Sequence, residues 1–245
     1  MAVVTGASSG IGAAVAEHLA WLGAKVAVIA RREGRLEDLV NRIEKNGGGA
    51  MEVAADVTDA AGTQDAADAV EAALGPADLL VNNAGVMLPA PVEERRTDQW
   101  RREIDLNITG LMNTIGAFLP QLVRAAGERG VADLINTASI AAHNIFPNFA
   151  VYSGTKAFVV QLSRDLRVEL GPKHVRVAAI SPGIVETELQ DHVTDAGARE
   201  WLEGARQTLE WLAPQDIAQI VGFMTTLPPR ANLQEVIVMP TGQPA

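Results

Sequence analysis

Seven short apolar runs interleaved with stretches of helical periodicity predict an α/β protein: a doubly wound, parallel seven-stranded sheet with helices on both faces. The strand runs are near-continuous Val, Ile and Ala, the pattern of a sheet covered on both sides rather than on one. Right-handed crossovers then place the intervening helices on those two faces. The first strand is 2–5, and it feeds a helix at 11–22. A second strand at 25–30 leads to a helix at 34–46, stopped by Gly47-Gly48-Gly49. Strand 50–54 and helix 60–74 follow, with Gly75-Pro76 closing the helix. Strand 78–81 precedes one long helix at 97–127, then strand 132–137, helix 150–170 ended by Gly171-Pro172, and strand 175–180. Helix 214–227 and strand 234–239 complete the order. Residues 188–212, between the sixth strand and the last helix, are expected to form a mobile lid on a single domain spanning 1–245.

Composition narrows the function. A chain of 245 residues buries a substantial core without staples, and this one has no cysteine, so thiolate catalysis and Cys-ligated zinc are excluded. No ordered His/Asp/Glu cluster suggests a metal site. The net charge of −10 argues against nucleic-acid and anionic-membrane partners. No apolar run approaches the ~18 residues of a membrane span, and no signal-peptide pattern precedes the first strand, so a soluble, cytoplasmic protein is expected.

The first turn carries the most chemistry. Thr5-Gly6-Ala7-Ser8-Ser9-Gly10-Ile11-Gly12 joins the first strand to the first helix, and its glycines let backbone pass close to a pyrophosphate at the helix amino terminus. A glycine-rich turn alone is a weak signal of a dinucleotide site. The end of the second strand adds to it. A site for NAD favours a carboxylate there, but the chain has Ala30 followed by Arg31 and Arg32. Guanidinium groups grip a 2′-phosphate that a carboxylate would repel, so NADP(H) is expected, with Arg31 the main contact, Arg32 secondary, and Ser8 and Ser9 as hydroxyl donors.

Later motifs turn these pieces into a resemblance. Asn82-Asn83-Ala84-Gly85 follows the fourth strand, Asn107 lies in the long helix, and Ser139 ends the fifth strand. Tyr152-Ser153-Gly154-Thr155-Lys156 opens the next helix, and Pro182-Gly183-Ile184-Val185-Glu186-Thr187 follows the sixth strand. Together with the Gly-x-x-x-Gly-x-Gly turn they resemble the short-chain dehydrogenase/reductase family along essentially the whole chain, which implies a Rossmann-like fold. Spacing makes independent sense of one pair: Tyr152 and Lys156, four apart, share a helix face, and a nearby ammonium favours the phenolate. Such a pair alone is common on helix surfaces.

The resemblance implies a catalytic set of Asn107, Ser139, Tyr152 and Lys156. The counterpart of Tyr152 gives a proton to a carbonyl oxygen, and that of Lys156 also holds the nicotinamide ribose. Ser139's counterpart positions the carbonyl, and Asn107's holds a water in the proton relay. Cofactor contacts implied are Gly6, Ser8, Ser9, Gly10, Ile11, Gly12, Arg31, Arg32, Asp56 and Val57 at the adenine, Asn83, Ala84, Gly85, and Pro182, Gly183, Val185 and Thr187 beside the nicotinamide. The expected reaction is hydride transfer between nicotinamide and a small-molecule carbonyl or alcohol.

Substrate and assembly are less constrained. Met87, Leu88, Phe149 and the stretch His143-Asn144-Ile145-Phe146 are pocket candidates, with Leu189, Trp201, Leu202, Leu209 and Trp211 either lid packing or substrate contacts. His143 and His192 either bond a polar substrate group or face solvent. Local stretches, including Thr187-Glu188-Leu189-Gln190-Asp191-His192 and Val238-Met239-Pro240-Thr241, resemble NADP-dependent serine or 3-hydroxy-acid dehydrogenases and clavulanic-acid-type aldehyde reductases. Helices 104–122 and 157–170 carry more apolar residues than one stripe needs, so a homo-oligomer, a tetramer in the family, is expected through them. A redox-sensing NADP-binding protein is an alternative that the presence of Tyr152 and Lys156 disfavours. A sugar-nucleotide epimerase or dehydratase is another, disfavoured by glycine spacing and chain length.

Overall fold

The computed structural model describes residues 1–244. Its seven strands are β1 (Ala2–Thr5), β2 (Lys25–Ala30), β3 (Gly49–Ala54), β4 (Leu79–Asn82), β5 (Ala132–Thr137), β6 (Val175–Pro182) and β7 (Glu235–Val238). They form one sheet in the order β3-β2-β1-β4-β5-β6-β7, every pair parallel. The strand order reverses between β1 and β4, so a crevice opens at the carboxyl ends of those strands, where sheets of this kind bind ligands.

Alternate residues of each strand serve opposite faces. Val4, Val28 and Val81 pack with α1 (Gly10–Trp21), α2 (Glu33–Lys45) and α8 (Pro214–Thr226). Val3, Ile29 and Leu80 pack instead with α3 (Ala60–Leu74), α5 (Leu111–Arg129) and α6 (Ala150–Leu170). Phe118, Leu122 and Val159 are all but fully buried in this second layer. The remaining helices are α4 (Thr97–Ile104) and α7 (Ala196–Thr208). Among the described residues no helix is long and apolar enough to cross a membrane.

One helix expected at 97–127 is divided. Residues Asp105–Gly110 between α4 and α5 are π-helical, a widening that often marks a functional site. A buried polar chain ties the same region to the sheet. The Thr114 hydroxyl donates to Asn82 Oδ1 at 2.7 Å, Asn82 Nδ2 to Asn136 Oδ1 at 3.0 Å, and Asn136 Nδ2 to Ser163 Oγ at 2.9 Å. Linked this way, none of these groups carries the cost of an unpaired buried donor. At the other end of the sheet Arg176 grips Asp133 with two bonds of 2.7 Å across paired positions of β6 and β5.

Candidate active site

The glycine turn sits at the head of β1, in the crevice. Gly6 and Gly10 have φ of +64° and +55°, a region that side chains rarely adopt. A Cβ on Gly12 would lie 2.5 Å from the carbonyl oxygen of Gly6, so the third glycine lets helix and turn close on each other. Thr5 holds the turn to the next motif: its hydroxyl accepts from the N–H groups of Asn83 and Ala84 at 3.1 and 3.2 Å. Asn83 Nδ2 returns a bond to the Gly6 carbonyl. The backbone of Asn83-Ala84-Gly85 thereby lies along the crevice as one wall.

Arg32 is the centre of the β2 end. Its Nε and Nη2 donate to Ser8 Oγ at 3.1 and 2.9 Å, and Nη2 donates to Ser9 Oγ at 2.8 Å. Its Nη1 donates to Glu188 Oε2 at 2.8 Å, and Arg35 approaches the same carboxylate at 3.6 Å. Arg31, ranked first from sequence, also lines the crevice, more exposed than Arg32, and lies 3.8 Å from Asp56. Asp56 accepts from Thr58 N–H and hydroxyl, and Asp56 and Val57 both line the crevice. Glu188 was not foreseen. The cations that hold it pull its carboxyl below the usual range, the Arg32 hydrogen bond most of all.

Tyr152 and Lys156 meet at the opposite end, buried on one face of α6. Lys156 Nζ donates to the Thr137 carbonyl at 2.9 Å and lies 5.8 Å from the phenol ring centroid. Ser139 lies where β5 ends, its hydroxyl accepting from Ala141 N–H. Burial pushes the Tyr152 phenol up to about 12; the Ser139 hydroxyl opposes this and the Glu103 carboxylate adds to it. Burial also lowers Lys156 to about 8. Desolvation thus moves the phenol in the direction opposite to the one expected from the ammonium.

Asn107 is held tightly in the π segment. Its Oδ1 accepts from Val86 N–H at 2.9 Å, while its Nδ2 donates to the Val86 carbonyl at 2.9 Å and to Thr155 Oγ1 at 3.1 Å. One turn earlier Glu103, fully buried, accepts from Leu88 N–H at 2.8 Å. The two side chains pin the strand-like segment 86–88 that presents Met87 to the cleft. Burial raises Glu103 to about 7. A charged residue at an apolar helix position was the signal available for it.

Segment 188–212 closes over the cleft. A 3-10 turn at Glu188–His192 leads to α7, capped by Asp195, whose carboxylate accepts from Ala198 N–H. Leu189, His192, Trp201 and Leu202 line the cleft with Phe146 and Phe149. Trp211 stacks under Arg206, 4.7 Å away, and with Leu209 is not among the lining residues. His143 turns away to Glu235 at 2.6 Å, so it does not face the cleft, and Ile145 is almost fully exposed. Pro182, Gly183, Val185 and Thr187 form the wall beneath this segment. Gln243, also unforeseen, accepts the Ile184 N–H at 3.0 Å from the far end of the chain and lines the cleft. Among the described residues no group of three or more His, Asp or Glu is placed to hold a metal.

Known proteins carry the same fold and sequence pattern. The short chain dehydrogenase family profile matches residues 1–197. An uncharacterized oxidoreductase of Staphylococcus saprophyticus is 37% identical over 241 residues, covering 98% of this chain and 97% of its own. A serine dehydrogenase solved with NADP+ superposes with a TM-score of 0.90 at 32% identity, over 100% of this chain and 96% of that one. An alcohol dehydrogenase of Thermococcus sibiricus, solved with 5-hydroxy-NADP, gives 0.86 at 27% identity over 100% and 97%. A sheet of this order, a turn that only glycines can make and matches running the length of the chain leave one conclusion: the protein belongs to the short-chain dehydrogenase/reductase family of oxidoreductases.

Proposed function

We propose that the protein is an NADP(H)-dependent carbonyl reductase or alcohol dehydrogenase. The observation that carries this reading is one continuous cleft with Arg32, Ser8 and Ser9 at one end and Ser139, Tyr152 and Lys156 at the other. The cleft fits a dinucleotide: Gly6, Gly10 and Gly12 leave backbone exposed where a Cβ would not fit, and Ser9 makes no side-chain cap, so the first turn of α1 is open to a pyrophosphate. Arg32 with its two serines offers a fork for a 2′-phosphate, and Ala30 sets no carboxylate against it. Relatives solved with NADP+ and 5-hydroxy-NADP support the same choice.

When bound, the cofactor supplies or accepts a hydride. The chain's own residues do the rest. Ser139 orients the carbonyl oxygen beside Tyr152, and the phenol, protonated at neutral pH, donates its proton to that oxygen. Lys156, anchored to Thr137, sits beside the phenol and holds the ribose. Asn107 and Glu103 fix segment 86–88, and segment 188–212 acts as a lid that excludes water. Most of the apolar surplus on α5 and α6 lies in the protein's own core, but Met112, Phe158 and Val168 stay exposed on those helices, which supports a homo-oligomer, a tetramer by resemblance. The absence of cysteine fits a reducing, cytoplasmic setting.

Following NADPH absorbance over a panel of aldehydes and ketones tests the reading. Efficiency with NADPH should exceed that with NADH at least ~10-fold, the value of one charge-assisted contact. Tyr152→Phe should abolish turnover and leave NADPH binding intact; retained activity would reassign the acid.

A further inference from the structure

We infer that the substrate is a neutral, apolar carbonyl compound, an aryl ketone or aldehyde in preference to a hydroxy or keto acid. This rests on the oxidoreductase reading above and goes on to the chemistry beyond the carbonyl. Phe149 stands next to the phenol, its ring centroid 6.4 Å from that of Tyr152, and packs with Phe146 and Trp201 at mutual centroid separations of 5.9 Å. Met87, Leu189 and Leu202 complete that half of the cleft. Of the chain's ten aromatic residues, one Tyr, five Phe and four Trp, Phe146, Phe149, Trp201 and Tyr152 line the cleft.

A carboxylate finds no free guanidinium or ammonium there, and among the described residues lining the cleft the one imidazole is that of His192. Among the described residues lining the cleft, the guanidinium groups are Arg31 and Arg32 at the β2 end, and the one ammonium is Lys156, bonded to Thr137. The guanidinium groups near the lid are committed elsewhere: Arg206 stacks on Trp211, Arg199 donates to the Val193 carbonyl, and Arg96 donates to Glu94 and Thr194. Buried Glu103, close enough to act on the Tyr152 phenol, adds no positive charge. Burying a carboxylate unpaired beside it is strongly unfavourable. A cationic substrate fares no better, although its charge suits Glu103. Among the described residues lining the cleft the carboxylates are Asp56, beside Arg31, and Glu188, held by Arg32 and Arg35, while Glu103 is not a lining residue and is bonded to Leu88 N–H.

Three probes with one core separate these cases: acetophenone, 4-acetylbenzoate and 4-acetyl-N,N,N-trimethylanilinium. Reduction is followed with NADPH, and binding to the NADPH-loaded protein is measured by calorimetry. Acetophenone should bind and turn over at least tenfold better than either charged analogue, and Trp201→Ala should shrink that preference at least fivefold. Preference for 4-acetylbenzoate would overturn the proposal; if His192→Leu then removed it, the carboxylate would belong to His192. Preference for the anilinium would overturn it in favour of a cation site. Selective acetophenone binding without turnover would uphold the pocket assignment while the reductase reading failed. Selective turnover of 4-acetylbenzoate would do the reverse.

Discussion

Glu188 holds the Arg32 fork, and Glu188→Gln isolates that contact. If Arg32 takes the 2′-phosphate, the phosphate must displace the carboxylate or share the guanidinium with it. The pair is close, 2.8 Å, but its side chains are 47% and 35% exposed, so solvent screens it heavily. Pairs of this kind contribute about 0.2–1 kcal/mol. Removing the competitor should therefore lower the Kd for NADPH by about 1.4- to 5-fold. NADH, with no 2′-phosphate, should barely respond. The assay is a titration of NADPH fluorescence at low and high salt, and the gain should shrink at high salt as the Debye length contracts. An unchanged or weakened NADPH affinity, or an equal gain for NADH, would show that Glu188 does not compete for the phosphate site.

Other features give their own tests. Glu103 binds its proton more tightly in the folded protein than in the unfolded chain, so its burial costs stability as pH rises from about 4.5 to about 7 and the loss is complete above that. Glu103→Gln, which keeps an acceptor for Leu88, should stabilise the fold at pH 8 by about 1–3 kcal/mol and change little at pH 4, read by urea unfolding; equal effects at both pH values would refute the titration. Asp133→Ala leaves Arg176 buried without its carboxylate and should cost about 3–5 kcal/mol, a fall in Tm of about 6–20 °C by calorimetry. A shift under 2 °C, at the edge of ~1 kcal/mol, would mean the pair is relaxed by solvent. Light scattering of the active enzyme should give an oligomer mass, and a monomer would remove the assembly through α5 and α6.

What could be read in advance was local. The Val- and Ile-rich runs placed every strand within two residues at each end, because a strand buried on both faces has little choice of composition. Tyr152 and Lys156 were legible because four residues on a helix always share a face. Contacts between distant segments were not. Glu188 meets Arg32 across 156 positions, and Gln243 meets Ile184 across 59, with no spacing rule to connect them. The contacts that distinguish Arg32 from its neighbour Arg31 were hidden for a related reason: they depend on Ser8, Ser9 and Glu188, not on the strand end alone. Desolvation of Tyr152 was equally invisible, since it clusters with Met87, Val193 and Leu202 from distant parts of the chain.

The π-helical segment has a bearing on how this gene tolerates insertions and deletions. A π turn holds one residue more than the α turn it replaces, so a one-residue deletion within 105–110 can be absorbed by closing the widened turn to an ordinary α turn. Gln99 and Glu103 on one side and Phe118 and Leu122 on the other then keep their places, whereas the same deletion inside α5 would turn one set by about 100° against the other. An alignment gap at this point therefore spares the core and instead removes the bulge that presents Asn107 to Val86.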